Sequence, residues 1–170
     1  MIGLFEKYTR SIMYGGTDGI ITIFNLISGI EGSNQSPLLL LYLGVSILIG
    51  DAISMGFSDF LSIRAENRIE SLPTTSEPHL YGLSTFFSFI LFGCIPLLIY
   101  SVLSYTNKSH NYIYTFISIV FSLGVLGYVN SPEHSIKDKL KNSVEVVFYG
   151  SFASLTSFSI SRMLSSVIKV

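Results

Sequence analysis

Asp51, Met55 and Asp59 stand four residues apart in the stretch Gly50-Asp51-Ala52-Ile53-Ser54-Met55-Gly56-Phe57-Ser58-Asp59. On a helix that spacing forms one gently drifting stripe. Two carboxylates bracketing a thioether offer hard oxygen and soft sulfur, a donor set better suited to a transition metal than to magnesium or calcium. The run just upstream, Leu38 to Ile49, is apolar, and no charge occurs from Gly32 to Gly50. The stripe therefore lies inside or at the edge of a lipid-spanning helix. An acid there costs roughly 2.5–3.5 kcal/mol on insertion scales, which makes it a candidate for function by default. Each residue also has a simpler reading. Met55 alone fills gaps in an apolar core, and Asp59 alone sits most simply at the water interface. Asp51 is deeper, and unpaired it would take up a proton, as a proton-coupled carrier requires.

A second acid, Asp18, falls in Gly15-Gly16-Thr17-Asp18-Gly19 at the head of the apolar run Ile20 to Gly29. It reads either as a helix N-cap or as part of a lined pathway; Asn25, seven residues on and on the same face, favours the pathway. Glu66 and Glu70 lie one turn apart beyond the second apolar run, with Glu77 and His79 close behind. They read as a solvated helix end balanced by Arg64 and Arg68, or as an acidic vestibule that attracts cations. Glu145 pairs by spacing with Lys141, and Arg162 snorkels to the interface. His110 and His134 fall in different loops with no ligand spacing between them. Cys94 is the only cysteine, so neither an intrachain disulfide nor a cysteine metal cluster is available. No phosphate loop, nucleophile elbow or zinc pattern occurs.

The elements that position these groups follow from hydropathy. The 170 residues are 49% hydrophobic and 12% charged, half the charge of an average soluble domain. The net charge of −1 excludes a generally basic nucleic-acid binder. The expectation is an all-α polytopic membrane protein, a single transmembrane domain over 1–170 with five spans at about 16–31, 37–66, 80–105, 112–130 and 143–167. A short amphipathic helix at residues 3–14, carrying Leu4, Tyr8 and Ile12 on one face, lies at the interface ahead of the first span. Glu6, Lys7 and Arg10 precede any long apolar run, the wrong order for a cleavable signal. Pro96 kinks the third span, residues 130–142 form a polar loop, and Tyr100, Tyr105, Tyr112, Tyr128 and Tyr149 mark span ends as an aromatic belt. Lys and Arg concentrate at the N-terminus, after the second span and before the fifth. That puts the N-terminus in the cytoplasm and the C-terminus across the membrane.

Three segments together resemble the vacuolar iron transporter family. Tyr14-Gly15-Gly16-Thr17-Asp18-Gly19-Ile20-Ile21-Thr22-Ile23-Phe24 is similar to its first-helix Asp-Gly signature. Asp51 to Ser62 is similar to its second-helix Ala-(Ile/Leu)-Ser-Met-Gly signature with an acidic-aromatic pair after it. Phe86 to Leu98 is similar to its third-helix Ser-Phe…Gly-x-Ile-Pro-Leu segment. The resemblance implies a five-helix protomer working as a homodimer that moves Fe(II), and often Mn(II), out of the cytosol in exchange for protons, in a vacuolar, other endomembrane or plasma membrane. It is a transporter, not an enzyme, with the metal as substrate and no resident cofactor. Asp18 maps onto the family's transport carboxylate and Met55 onto its thioether ligand. Asp51 is a third ligand or proton acceptor, Asp59 a further metal-site acid, and Glu66, Glu70 and Glu77 guide cations in. The chain departs from the family in two ways. Residues 69–77 are too short for the glutamate-rich cytoplasmic domain, as in the shorter nodulin-like branch. Ile47 stands where some members carry a glutamate, and Asp51 is expected to replace it. Rival readings are a non-transporting membrane scaffold and a carrier or channel for another divalent cation.

Overall fold

The first reversal of the chain is written in its capping residues. Asn34 adopts φ 54°, the N–H of Gln35 bonds the carbonyl of Ile30 at 3.1 Å and that of Asn34 bonds Glu31 at 3.2 Å. These two bonds around a left-handed residue end the first helix as a Schellman motif. Two residues later the Ser36 hydroxyl accepts from the N–H of Leu38 at 3.2 Å, capping the next helix, whose first residue is Pro37. The computed structural model describes residues 2–69, 77–105, 111–129, 131 and 135–168. Glu70, His110 and His134 lie outside them. The elements are α1 (Ile2–Gly32), α2 (Pro37–Ile69), α3 (Pro78–Tyr105), α4 (Asn111–Val129) and α5 (Ile136–Ile168); among the described residues there is no strand.

α1 is the hub. It touches every other helix, while α2 meets only α1 and α3, and α5 only α1 and α4. Neighbouring contacts give the helix directions. α3 runs parallel to α1, because Gly15 approaches Thr85 and Gly19 approaches Phe89. α2 is antiparallel to α3, with Gly56 against Gly82 and Gly44 against Leu97, and α4 is antiparallel to α5, with Gly127 against Ser143 and Gly150 against Leu123. α5 is parallel to α1: Ser157, Ser161 and Ser165 donate to the carbonyls of Asn25, Gly29 and Ser33, each across the same separation of 132 residues. The five helices thus alternate in direction. Ile20, Ile23, Phe24 and Ile27 of α1 are fully buried at the centre, against Leu48, Ala52, Phe89, Leu97 and Leu123.

The outside of this bundle is apolar. Tyr42, Ile49 and Phe57 of α2, Phe87 and Leu91 of α3 and Phe121 of α4, the last 72% exposed, all face outward. A water-soluble monomer rarely shows an apolar surface of this extent, and the outer face suits the interior of a membrane. By length and apolar content, α2 over Pro37–Arg68 and α3 over Pro78–Tyr105 meet the requirement for crossing a membrane; α4 carries a shorter apolar stretch, Ile113–Val129. α1 and α5 do not meet it, since each mixes charged or hydroxyl residues into its apolar face.

Several local expectations change. Residues 3–14 are not a separate interfacial helix but the opening turns of α1, whose Tyr8 and Ser11 are buried. α5 starts at Ile136, so Lys137, Lys139 and Lys141 stand on a helix rather than in a polar loop, and Lys141 makes no ion pair with Glu145. Tyr100 is 3% exposed and donates its hydroxyl to Glu31 at 2.5 Å. It fastens α3 to the end of α1 and takes no part in an aromatic belt.

α1 and α3 meet backbone to backbone. A methyl group added at Gly19 would come within 2.4 Å of the Phe89 carbonyl oxygen, and at Gly15 within 2.3 Å of that of Thr85, so small residues are obligatory here. Gly19→Ala should therefore destabilise the bundle by about 1–3 kcal/mol. Gly50→Ala, with nothing within 4 Å of its added carbon, should be neutral or stabilising by up to about 1 kcal/mol. Unfolding in detergent micelles reads both; a Gly19→Ala chain as stable as its parent would mean the two helices are not in backbone contact.

Candidate functional site

Asp59 is 5% exposed where α1, α2 and α3 converge. A buried carboxylate must find donors, and this one has two, with a cation beside them. Ser11 of α1 and Thr85 of α3 each donate a hydroxyl to Oδ2 at 2.6 Å, and the Arg10 guanidinium stands 3.7 Å from Oδ1. Arg10 also reaches Glu66, Nη1 to Oε1 at 3.6 Å. Asp59 is therefore interior rather than interfacial. Glu66 is balanced by Arg10, not by Arg64 or Arg68; Arg64 lies over the Phe60 ring.

That contact sets the register of α2 on α1. Eight residues along α1 from Arg10 is Asp18; eight residues back along α2 from Asp59 is Asp51, so the antiparallel register brings the two acids to the same level of the bundle. The stripe Arg10-Tyr14-Asp18 thus faces the stripe Asp59-Met55-Asp51 in antiparallel order, with Tyr14 at the level of Met55. Met55 is half-buried and packs against the core. Among the described residues neither Asp18 nor Asp51 has an ion-pair partner.

Along the same face of α1 runs a groove of about 680 Å³ lined by Thr9, Arg10, Met13, Tyr14, Thr17, Asp18, Ile21 and, from α5, Val146. Two buried polar atoms on α1, Thr17 Oγ1 and Asn25 Oδ1, have no hydrogen-bond partner among the described residues. Such orphans are costly in an apolar surround and mark where water or a cation would be welcome. A larger cavity of about 780 Å³ between α1, α3 and α4 is lined by no acid, its polar groups being the Tyr8 phenol and serine hydroxyls among apolar walls.

The structure thus gathers Asp18, Asp51, Met55 and Asp59 on one side of α1, with Glu66 at the outer end of the stripe. Glu77 lies apart, beside His79 at 3.8 Å. Among the described residues no three His, Cys, Asp or Glu side chains come together closely enough to hold an ion. What one chain offers is an acidic pair, Asp18 with Asp51, and nearby thioethers. Sequence reasoning missed Met13 and Thr17 as groove residues and Ser11, Thr85 and Arg10 as partners of Asp59. Met13 and Thr17 stand one helical turn apart just ahead of Asp18 and were open to detection; the partners of Asp59 lie on other helices and were not. Thr85→Val, which removes one hydroxyl from a buried carboxylate, should cost about 1.5–3 kcal/mol. Ser84→Ala, whose hydroxyl bonds only the Leu80 carbonyl of its own helix, should cost little. Unfolding midpoints in micelles test the pair, and equal effects would show that Asp59 does not depend on Thr85.

Comparison with known proteins places this arrangement. The sequence profile of the VIT family matches residues 9–78 and again 66–162, the two matches overlapping across the α2–α3 connection. A protein named vacuolar iron transporter from Plasmodium berghei is 26% identical over an alignment covering 96% of this chain and 84% of its own length. That alignment spans 231 positions, more than the 170 residues here, so the relative holds residues with no counterpart in this chain. A vacuolar iron transporter from Toxoplasma gondii is 42% identical over 36% of this chain and 20% of its own. One from Centaurea cyanus is 21% identical over 94% and 89%. With the profile covering all but the ends of the chain, and with five alternating helices behind it, the protein belongs to the VIT family.

Proposed function

We propose that the chain is a carrier for divalent transition-metal cations, Fe(II) and Mn(II), moving them out of the cytosol in exchange for protons. The observation that carries this reading is the facing of Asp18 and Asp51 across the α1/α2 cleft, two acids in a lipid-embedded bundle with no ion-pair partner among the described residues. Uncompensated negative charge in that setting calls for a cation, and each carboxylate can hold either metal or protons. Met55, at the next turn of α2, adds sulfur, which favours Fe(II) and Mn(II) over calcium in the order of ligand softness. The names of the relatives, vacuolar iron transporters, support iron as the cargo.

In this reading the cation loses water to Asp18 and Asp51, with Met55 filling a further position. Thr17 and Asn25, whose buried oxygens lack partners, line its way along α1. Asp59 belongs to the cytosolic end of the same stripe, and Glu66 and Glu77 collect cations there; Glu70 shares that role by sequence. A metal held by carboxylates is released when they are protonated, so unloading occurs on the acidic side. An acidic pair and one thioether fall short of a full coordination shell, and the groove along α1 is open. A second copy facing it would complete the shell and cover the exposed apolar surface, so the working unit is a homodimer. The N-terminus faces the cytosol in this scheme, consistent with the Lys and Arg distribution, and the membrane is the vacuolar membrane or a related one.

Uptake of Fe(II), kept reduced, into vesicles holding the purified chain tests the proposal. Uptake should exceed that of empty vesicles, rise with an inward-acid gradient, and be competed by Mn(II) more than by Ca(II). Asp18→Asn and Asp51→Asn should each reduce it by about tenfold or more, the scale on which even outer partners of a metal act, and Met55→Ala should reduce discrimination between ions. No uptake at any gradient would leave a membrane scaffold. Uptake unchanged in Asp51→Asn would remove that residue from the pathway.

A further inference from the structure

Arg10 is the one feature of the cleft that opposes its chemistry. It stands on the same α1 stripe as Asp18, two turns toward the N-terminus, and it lines the same groove. Its guanidinium is 61% exposed and bridges two acids of α2, at 3.7 Å from Asp59 Oδ1 and 3.6 Å from Glu66 Oε1. Both separations exceed a normal charge-assisted hydrogen bond. Asp59 does not need Arg10 for its hydrogen bonds, because Ser11 and Thr85 already serve one of its oxygens at 2.6 Å each. The guanidinium is therefore loosely held. It occupies the point where a cation arriving along Glu66 would next meet negative charge, before reaching Asp18 and Asp51.

We infer that Arg10 is a resident cation of the acidic track, a tethered positive charge that screens the N-terminal approach to the Asp18–Asp51 pair. Glu66 and Asp59 hold it there and partly neutralise it. An incoming cation exchanges with it on those two acids, so Arg10 sets how readily positive species enter the groove. The inference rests on reading the cleft as a cation path, and it names a selectivity residue that the donor set alone does not reveal. A point charge at this range in a partly solvated cleft changes the local concentration of a monovalent cation by a factor of a few.

The test is chemical access rather than transport. In a chain carrying Cys94→Ser and Tyr14→Cys, the new thiol lies on an exposed position of the groove, one turn beyond Arg10 and one turn before Asp18. Sealed membrane vesicles with the N-terminal face outward are treated with a cationic and with a neutral methanethiosulfonate of similar size, and the ratio of the two modification rates is read. Taking the ratio cancels any general loosening of the bundle. Arg10→Gln should raise the cationic-to-neutral ratio about fivefold, and Arg10→Lys should restore it to near the parent value. Glu66→Gln, at a half-exposed position where folding is not at issue, should lower the ratio by unmasking the guanidinium. An unchanged ratio in both Arg10→Gln and Glu66→Gln, or a rise in Glu66→Gln, overturns the inference. If Arg10→Gln does not fold, the Glu66→Gln ratio decides alone. Because no metal is moved in this experiment, a carrier with an unchanged ratio and a non-carrier with a shifted one are told apart by the vesicle uptake assay.

Discussion

A carboxylate at 5% exposure in a bundle surrounded by lipid has to be supplied with donors by whatever packs against it. Asp59 takes them from two other helices, and that requirement organises the end of the bundle near the start of α1. Ser11 and Thr85 bring α1 and α3 to the same oxygen of α2. Once the three helices are fixed at that level, the antiparallel register carries through, and Asp18 and Asp51 fall opposite each other eight residues away. The opposite end of α1 has its own fastening, Glu31 with Tyr100. Asp18 and Asp51 are thus placed by a helix held at both ends, and among the described residues neither has an ion-pair partner.

Each face of α1 is joined by a different kind of contact. Toward α3 it offers glycines, and the backbones touch. Toward α5 it offers carbonyl oxygens, to which Ser157, Ser161 and Ser165 donate at regular intervals; those hydroxyls would otherwise be costly to bury in a lipid phase. Toward α2 it offers charge and hydroxyls. The polar residues that keep α1 and α5 from reading as simple apolar spans are largely the ones that bind these helices to their neighbours.

Much of this was legible beforehand because it is local. Helical spacing placed Asp51, Met55 and Asp59 on one stripe, the apolar runs marked the helices, and Ser36-Pro37 announced the start of α2. The motifs around Asp18, Met55 and Pro96 pointed to the family to which the chain belongs. What stayed hidden is what depends on partners distant in sequence. Nothing adjacent to Asp59 shows that Ser11, 48 residues away, and Thr85, 26 residues away, will bury it. By its position it reads as a surface acid. The same holds for Tyr100, whose place near a span end suits an aromatic belt until Glu31 is found beneath it. The start of α5 was misjudged for a different reason. Lys137, Lys139 and Lys141 look like a loop by polarity, yet lysine is a good helix former and the helix simply extends out of the apolar zone.

The glycine seam between α1 and α3 has a consequence for leakage. Where the Phe89 carbonyl oxygen lies 2.4 Å from the spot a methyl carbon would fill, there is no volume for a water molecule, which needs roughly 10–15 Å³ of clear space. Without water no hydrated ion or proton wire can pass between α1 and α3 at this level. The seam is a dielectric wall behind the acidic cleft. At that level the contact is a dry, low-dielectric seal, and the carboxylates of α1 and α2 must find water or charge on another face.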